Sequence, residues 1–225
     1  MASIAEFKNY AKYLIQASKF KRLLKIPAHS SIEACRYLEN RGLSTIGFYY
    51  YQGDFNYRGK EYHLDSCIVC LLLTPEGKIN GVWIRFINQK KFFIWLLDLN
   101  PEPQKYWLHP DLDLTKEVYV CEAIFDALSL GKLLMTTQVV ACLGVTPSAE
   151  LKDILNQVPK VILGLDSDTA GLKSTLGLLE SNPKWWCIQH NYKVKDYNEL
   201  LDLTDNFQYK TLSGIQAKIA IRSRI

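Results

Sequence analysis

Five carboxylates in the second half of the chain have the types and spacing to do chemistry together: Glu122, Asp126, Asp166, Asp168 and Asp196. Glu122 follows the strand-like run 117–121, and Asp126 comes one helical turn later, on the same helix face. Asp166 and Asp168 follow the run 160–165, and two-residue spacing in extended backbone lets both side chains address one ion. Asp196 follows the run 185–190 after a short loop. Carboxylates held close together repel, and each raises the pKa of its neighbours unless a cation neutralises them. Oxygen donors without His or Cys suit Mg²⁺ or Mn²⁺, and no zinc is expected. Such sites act on phosphates, where a metal stabilises the attacking and leaving oxygens. A single Asp ahead of a helix, as Asp168 ahead of Thr169-Ala170, is also an ordinary N-cap. The constellation carries the reading, and no one residue does.

A rim of this kind needs a sheet to position it. From residue 117 the sequence alternates between β-rich and helix-patterned runs. Strands are expected at 117–121, 138–143, 160–165 and 185–190, and helices at 124–134, 148–157, 170–180 and 197–202. Four strand–helix alternations imply a mainly parallel sheet. Right-handed crossovers then bring every strand's C-terminal end to one edge, where ligands bind in open α/β sheets. Gly144, after the second strand, leaves room there for a ligand or another backbone.

The first half has a different texture. Ile4, Phe7, Tyr10, Ala11 and Leu14 recur at three- and four-residue steps, so 3–24 is expected to be helical, ended by Pro27. A second helix is expected from Ser30-Ser31 to Asn40, stopped by Arg41-Gly42. Strands follow at 48–51, 67–73, 80–87 and 92–97, with Pro75-Glu76-Gly77-Lys78 as a hairpin turn, and 98–115 reads as a connector. The fold class is therefore α/β, with an α+β N-terminal part ahead of the parallel sheet.

Charge is divided unevenly. The chain of 225 residues has 27 Lys or Arg against 23 Asp or Glu, a net +4 that is too small by itself to imply nucleic acid. Residues 1–25 hold six bases and one acid, 206–225 hold four bases and no acid, and the middle holds 17 bases and 22 acids. Two basic ends thus flank an acidic middle. The ends are candidate phosphate or partner contacts, or simply solvated helices. Six cysteines lie mostly in apolar runs, as buried free thiols in a reducing compartment would. Cys67-x-x-Cys70 has zinc-knuckle spacing but no second Cys/His pair, and it sits in a strand-like run. No apolar run reaches the roughly 18 residues that span a bilayer, and no leader is recognisable. A cytoplasmic protein without a membrane partner is expected.

Four segments in order resemble a Toprim domain: Cys121-Glu122-Ala123-Ile124-Phe125-Asp126, Ala141-Cys142-Leu143-Gly144, Asp166-Ser167-Asp168-Thr169-Ala170-Gly171-Leu172-Lys173, and Lys195-Asp196-Tyr197-Asn198-Glu199-Leu200. Three upstream segments resemble the polymerase core of DnaG-type primases: Tyr37-Leu38-Glu39-Asn40-Arg41-Gly42-Leu43, Gly77-Lys78-Ile79-Asn80-Gly81-Val82-Trp83-Ile84-Arg85, and Pro103-Gln104-Lys105-Tyr106-Trp107-Leu108. The resemblance covers about 32–202. It departs from the family pattern at Ile84, at Ala123-Ile124 and at Asn198, which stands where relatives often carry a second aspartate.

The resemblance implies a DNA primase that joins ribonucleoside triphosphates into short RNA primers on a single-stranded DNA template. Glu122, Asp166 and Asp168 would be catalytic, and with Asp126 and Asp196 would hold the metal. Arg85, Lys105, Lys173 and Lys195 would bind nucleotide or nucleic-acid phosphate, and Tyr106 would stack bases. A replicative helicase or other replisome protein would be the partner. The implied organisation is a basic N-terminal helix at 1–28, a primase-type subdomain at 29–115, a Toprim subdomain at 116–204 and a basic C-terminal helix at 205–225. Its length suits a polymerase core of phage-like size, without zinc-binding or helicase-binding modules. Two other readings use the same residues: a Toprim-family nuclease, and a non-catalytic subunit that binds single-stranded DNA or the replisome.

Overall fold

The computed structural model describes residues 18–96, 105–204 and 206–223. The chain divides into two compact units, Met1–Gln104 and Lys105–Ile225. The expected N-terminal helix lies mostly outside the described residues. Its described end is not helix but a 3-10 turn, Ser18–Phe20, followed by turns that bury Leu23 and Leu24.

The first unit is an antiparallel meander with one helix. Strands β1 (Ile26–Pro27), β2 (Phe48–Tyr57), β3 (Lys60–Leu73), β4 (Ile79–Phe86) and β5 (Phe92–Leu96) pair in sequence order. Helix α1 (Ile32–Glu39) starts where Ser31 Oγ accepts a hydrogen bond from the Ala34 N–H. It ends as its sequence requires: Gly42 adopts φ 65°, and the Leu43 N–H returns to the Leu38 carbonyl. Gly77 is also left-handed, in the β3–β4 turn. One sheet face buries Tyr51, Phe55, Val69, Ile84 and Trp95 under Phe20 and Leu23. Trp95 stacks on Phe55 and Tyr57 at 5.3 and 5.0 Å. Cys67 and Cys70 are both buried in β3. Three residues apart on a strand, they point to opposite faces and cannot share one ion.

The second unit is the α/β part. Strands β6 (Trp107–Leu108), β7 (Val118–Cys121), β8 (Val139–Ala141), β9 (Val161–Leu163), β10 (Trp186–Gln189) and β11 (Lys210–Ser213) form one sheet of order β11-β10-β9-β7-β8-β6. The central four are parallel, and β11 and β6 join antiparallel at the two edges. Helices α2 (Ile124–Leu133), α3 (Ala149–Leu155), α4 (Thr169–Ser181), α5 (Tyr197–Leu203) and α6 (Gly214–Arg222) alternate with the strands. A core of Val118, Val120, Leu163 and Cys187 packs under α3, α4 and α6 through Leu151, Leu155, Leu178, Leu179 and Ile221. Helix α2 packs against α5, β7 and β8.

Two expectations need correction here. The connector 98–115 is not uniform: its described part contains β6, so the α/β unit begins at Lys105. The segment 205–225 is not one helix either. Lys210–Ser213 first pairs with β10, and the helix starts only at Gly214, behind a capping box of Ser213 and Gln216. Hydrogen bonding to the sheet edge outweighs helical pattern in those four residues.

Candidate active site

The C-terminal edge of the parallel strands carries the acidic residues. Glu122 directly follows β7, and Asp166 is the third residue after β9. The two are joined: Glu122 Oε1 accepts a hydrogen bond from the Asp166 backbone N–H at 3.3 Å. The Glu122 carbonyl accepts from the Gly144 N–H, which ties the turn after β8 to the same point. A Cβ on Gly144 would meet nothing within 4 Å, as expected of open space at that turn.

Asp168 and Asp196 are both helix caps. Asp168 Oδ1 accepts from the Gly171 N–H at 3.0 Å and starts α4. Asp196 Oδ1 accepts from the Glu199 N–H at 2.9 Å and starts α5. Each has two carboxylate oxygens, so capping leaves acceptor capacity over. The two loops are stapled to each other, because the Ser167 N–H donates to the Lys195 carbonyl at 2.9 Å. Asp126 lies deeper, 8% exposed on the first turn of α2. Its carboxylate receives the backbone N–H of Asn198. The Asn198 side chain donates to Ser129 Oγ at 3.1 Å, so this departure from the aspartate pattern serves packing of α5 on α2.

The electrostatics follow from burial and crowding. Burial first, then Asp196, Asp166 and Glu122, push Asp126 up to about 8. Burial, then Glu122 and Asp196, push Asp166 up to about 7, with Lys195 opposing. Burial likewise raises Glu122, opposed by the Asp166 N–H and Lys195. Mutual repulsion among oxygen donors is the condition a divalent cation relieves. Among the described residues, no three His, Cys, Asp or Glu side chains stand together at metal-ligand geometry.

The basic residues divide by position. Lys195 and Lys173 are exposed in the α/β unit, on the loop before α5 and in α4, and Lys105 is exposed just before β6. Arg85 belongs to the other unit, in β4, where its Nε donates to the Tyr37 hydroxyl at 3.3 Å. Tyr106 is not available for stacking. It is 1% exposed in the core, and its hydroxyl donates to Glu150 at 3.0 Å. The sequence reading missed the role of Gly171. A Cβ there would lie 2.2 Å from the Asp166 carbonyl and 2.9 Å from Glu122 Oε1, so only glycine lets α4 start this close to the acidic loop. Its place three residues after Asp168, the cap of α4, was the available signal.

Residues 119–201 match a family model described as Toprim-like. Comparison with curated protein sequences gives no significant match. Among solved structures, the zinc-binding and RNA polymerase domains of the Aquifex aeolicus primase are similar at 14% identity and TM-score 0.67. That match covers 99% of this chain and 63% of the other, so the chain spans less than two thirds of that protein's length. The RNA polymerase domain of Mycobacterium tuberculosis primase DnaG matches at 15% identity and TM-score 0.65, covering 98% of this chain and 88% of that one. A DnaG primase catalytic domain bound to single-stranded DNA matches at 16% identity and TM-score 0.65, covering 99% and 80%. No described helix is long and apolar enough to cross a membrane. The chain has the fold of a DnaG-type primase catalytic core, with a Toprim-like domain over residues 119–201.

Proposed function

We propose that this chain is a DNA primase that joins ribonucleoside triphosphates into short RNA on a single-stranded DNA template. The observation that carries this reading is the joining of Glu122 to the Asp166 loop at the C-terminal edge of a parallel sheet, in the fold of primase catalytic cores. The binding of single-stranded DNA by one structural neighbour and of double-stranded DNA by another supports DNA as the template class.

Glu122, Asp166 and Asp168 would hold Mg²⁺ or Mn²⁺, with Asp126 and Asp196 behind them. The donor chemistry fits, being carboxylate oxygen throughout, and neutralisation would relieve the repulsion that raises Glu122, Asp126 and Asp166. When bound, the ion supplies charge stabilisation to the phosphoryl oxygens. Glu122 would either join these ligands or, as general base, take the proton of the attacking 3′-hydroxyl, whose oxygen bonds the α-phosphorus of the incoming triphosphate as pyrophosphate leaves. Lys195, Lys173, Lys105 and Arg85 hold phosphates of nucleotide or template, so binding weakens steeply with salt. A replicative helicase is the partner that would deliver single-stranded template.

Primer synthesis on random single-stranded templates with ribonucleotides and Mg²⁺ or Mn²⁺ tests the reading. Template-dependent RNA that disappears in Asp166→Ala supports it. Metal-dependent degradation of the template with no incorporation replaces it by a nuclease.

A further inference from the structure

An aromatic pocket sits at the end of β10, beside the acidic edge and apart from every residue assigned above. It has a volume of about 360 Å³ and is lined by Gln189, His190, Tyr192, Gln208, Tyr209 and Lys210, with Asn191 at its side. That size falls in the usual range for small-ligand sites, roughly 300 to 1,000 Å³.

The lining is built in layers. Phe207 and Tyr209 stack at 5.0 Å with an interplanar angle of 13°. Phe207 also packs on Tyr192 and His190, at 6.0 and 5.9 Å. The Tyr192 hydroxyl donates to the Asn206 carbonyl and accepts from the Gln208 N–H, which pins the loop that presents the rings. The Tyr209 hydroxyl is hydrogen-bonded to Tyr119, and the residue is 38% exposed. Around these rings the wall offers amides and a cation. Gln189, Asn191 and Gln208 supply both donors and acceptors, Lys210 supplies a positive charge, and among the described residues no lining residue is acidic.

A flat π-face, amide groups able to match a base edge, and a lysine at one side are the chemistry of a nucleobase carrying a phosphate. Position agrees. His190 lines both this pocket and a smaller cavity of about 40 Å³ that reaches Asp166 and Ser167. We propose that this pocket binds one nucleobase with its phosphate, the base stacking on Tyr209 and the phosphate meeting Lys210. The assignment deepens the primer-synthesis reading and rests on it for the source of the base, either a free nucleotide or one residue of a single strand.

The test uses 2-aminopurine, whose fluorescence falls on stacking, in two probes: the ribonucleoside triphosphate and a short oligodeoxynucleotide. The full chain is titrated in EDTA, so that the carboxylates hold no metal. Quenching of the triphosphate assigns the pocket to incoming nucleotide, and quenching of the oligonucleotide alone assigns it to template or primer strand. Tyr209→Ala should weaken the quenching probe about tenfold, and Lys210→Ala should weaken it and flatten its salt dependence. Tyr209→Phe, which keeps the ring and removes the bond to Tyr119, should bind like wild type and so separates stacking from folding. Quenching of neither probe, or wild-type titrations for both Tyr209→Ala and Lys210→Ala, overturns the proposal. Binding that persists in Asp166→Ala while primer synthesis fails in every variant, wild type included, sinks the polymerase reading and leaves the pocket standing.

Discussion

Glu122 holds the Asp166 loop by its backbone: the carboxylate of one acidic residue accepts the N–H of the other at 3.3 Å. The bond gives Glu122 two duties, charge and position, and an amide keeps only the second. Glu122→Gln should melt like wild type and lose about 100-fold or more in primer synthesis. Glu122→Ala should lose the activity and also speed amide exchange at Asp166, read by hydrogen-exchange mass spectrometry. Wild-type activity in Glu122→Gln would remove Glu122 from the chemistry.

Gly171 tests the closeness of the loop to its helix. An alanine Cβ would collide with the Asp166 carbonyl, which is backbone and cannot swing aside. Gly171→Ala should cost about 1–3 kcal/mol of stability in denaturant melts. Primer synthesis should fall on the order of 100-fold through displacement of Asp166. Gly177→Ala, at a helix position in open space, is the control and should be neutral or slightly stabilising.

Stability without metal should fall as pH rises. Asp126 has a folded pKa of about 8 against an ordinary 3.8, so the folded state keeps a proton that the unfolded chain has released. Its contribution is full below about pH 4 and is lost by about pH 8. Asp166, at about 7, acts in the same direction. Thermal melts in EDTA should drop by roughly 5 °C or more between pH 5.5 and 8.5. Asp126→Asn should flatten that slope, because the amide still accepts the Asn198 N–H and carries no charge. Mg²⁺ should restore the melting temperature at pH 8.5 more than at pH 5.5. A slope unchanged in Asp126→Asn would contradict the burial of that charge.

Tyr106 should act through the core and not through bases. Tyr106→Phe deletes the hydrogen bond to Glu150 and should cost about 1 kcal/mol in denaturant melts. Affinity for single-stranded DNA, measured by fluorescence anisotropy, should stay unchanged. A weakened affinity at unchanged stability would restore the stacking role.

What the sequence made legible was set by locality. The strand-end rule found the residues of the acidic rim because Glu122, Asp166 and Asp168 follow directly on apolar runs whose length and order imply parallel strands. Ser31 and Gly42 announced the limits of α1 through cap chemistry that acts within a few residues. The failures needed partners far away. Lys210–Ser213 has little strand pattern of its own, and pairing with β10 makes it a strand. Tyr106 follows a lysine in a polar connector, yet β6 pairs with β8 and carries the ring inward. Asn198 read only as a departure from an aspartate in the family pattern, and its bonds to Ser129 and Asp126 give it a packing role.

The bond from the Ser167 N–H to the Lys195 carbonyl makes two loops from different crossovers into one mechanical part. Under the proposed function, an anion at Lys195 and a cation at Asp166 would therefore pull on the same short span of backbone, and occupancy of one would order the seat of the other.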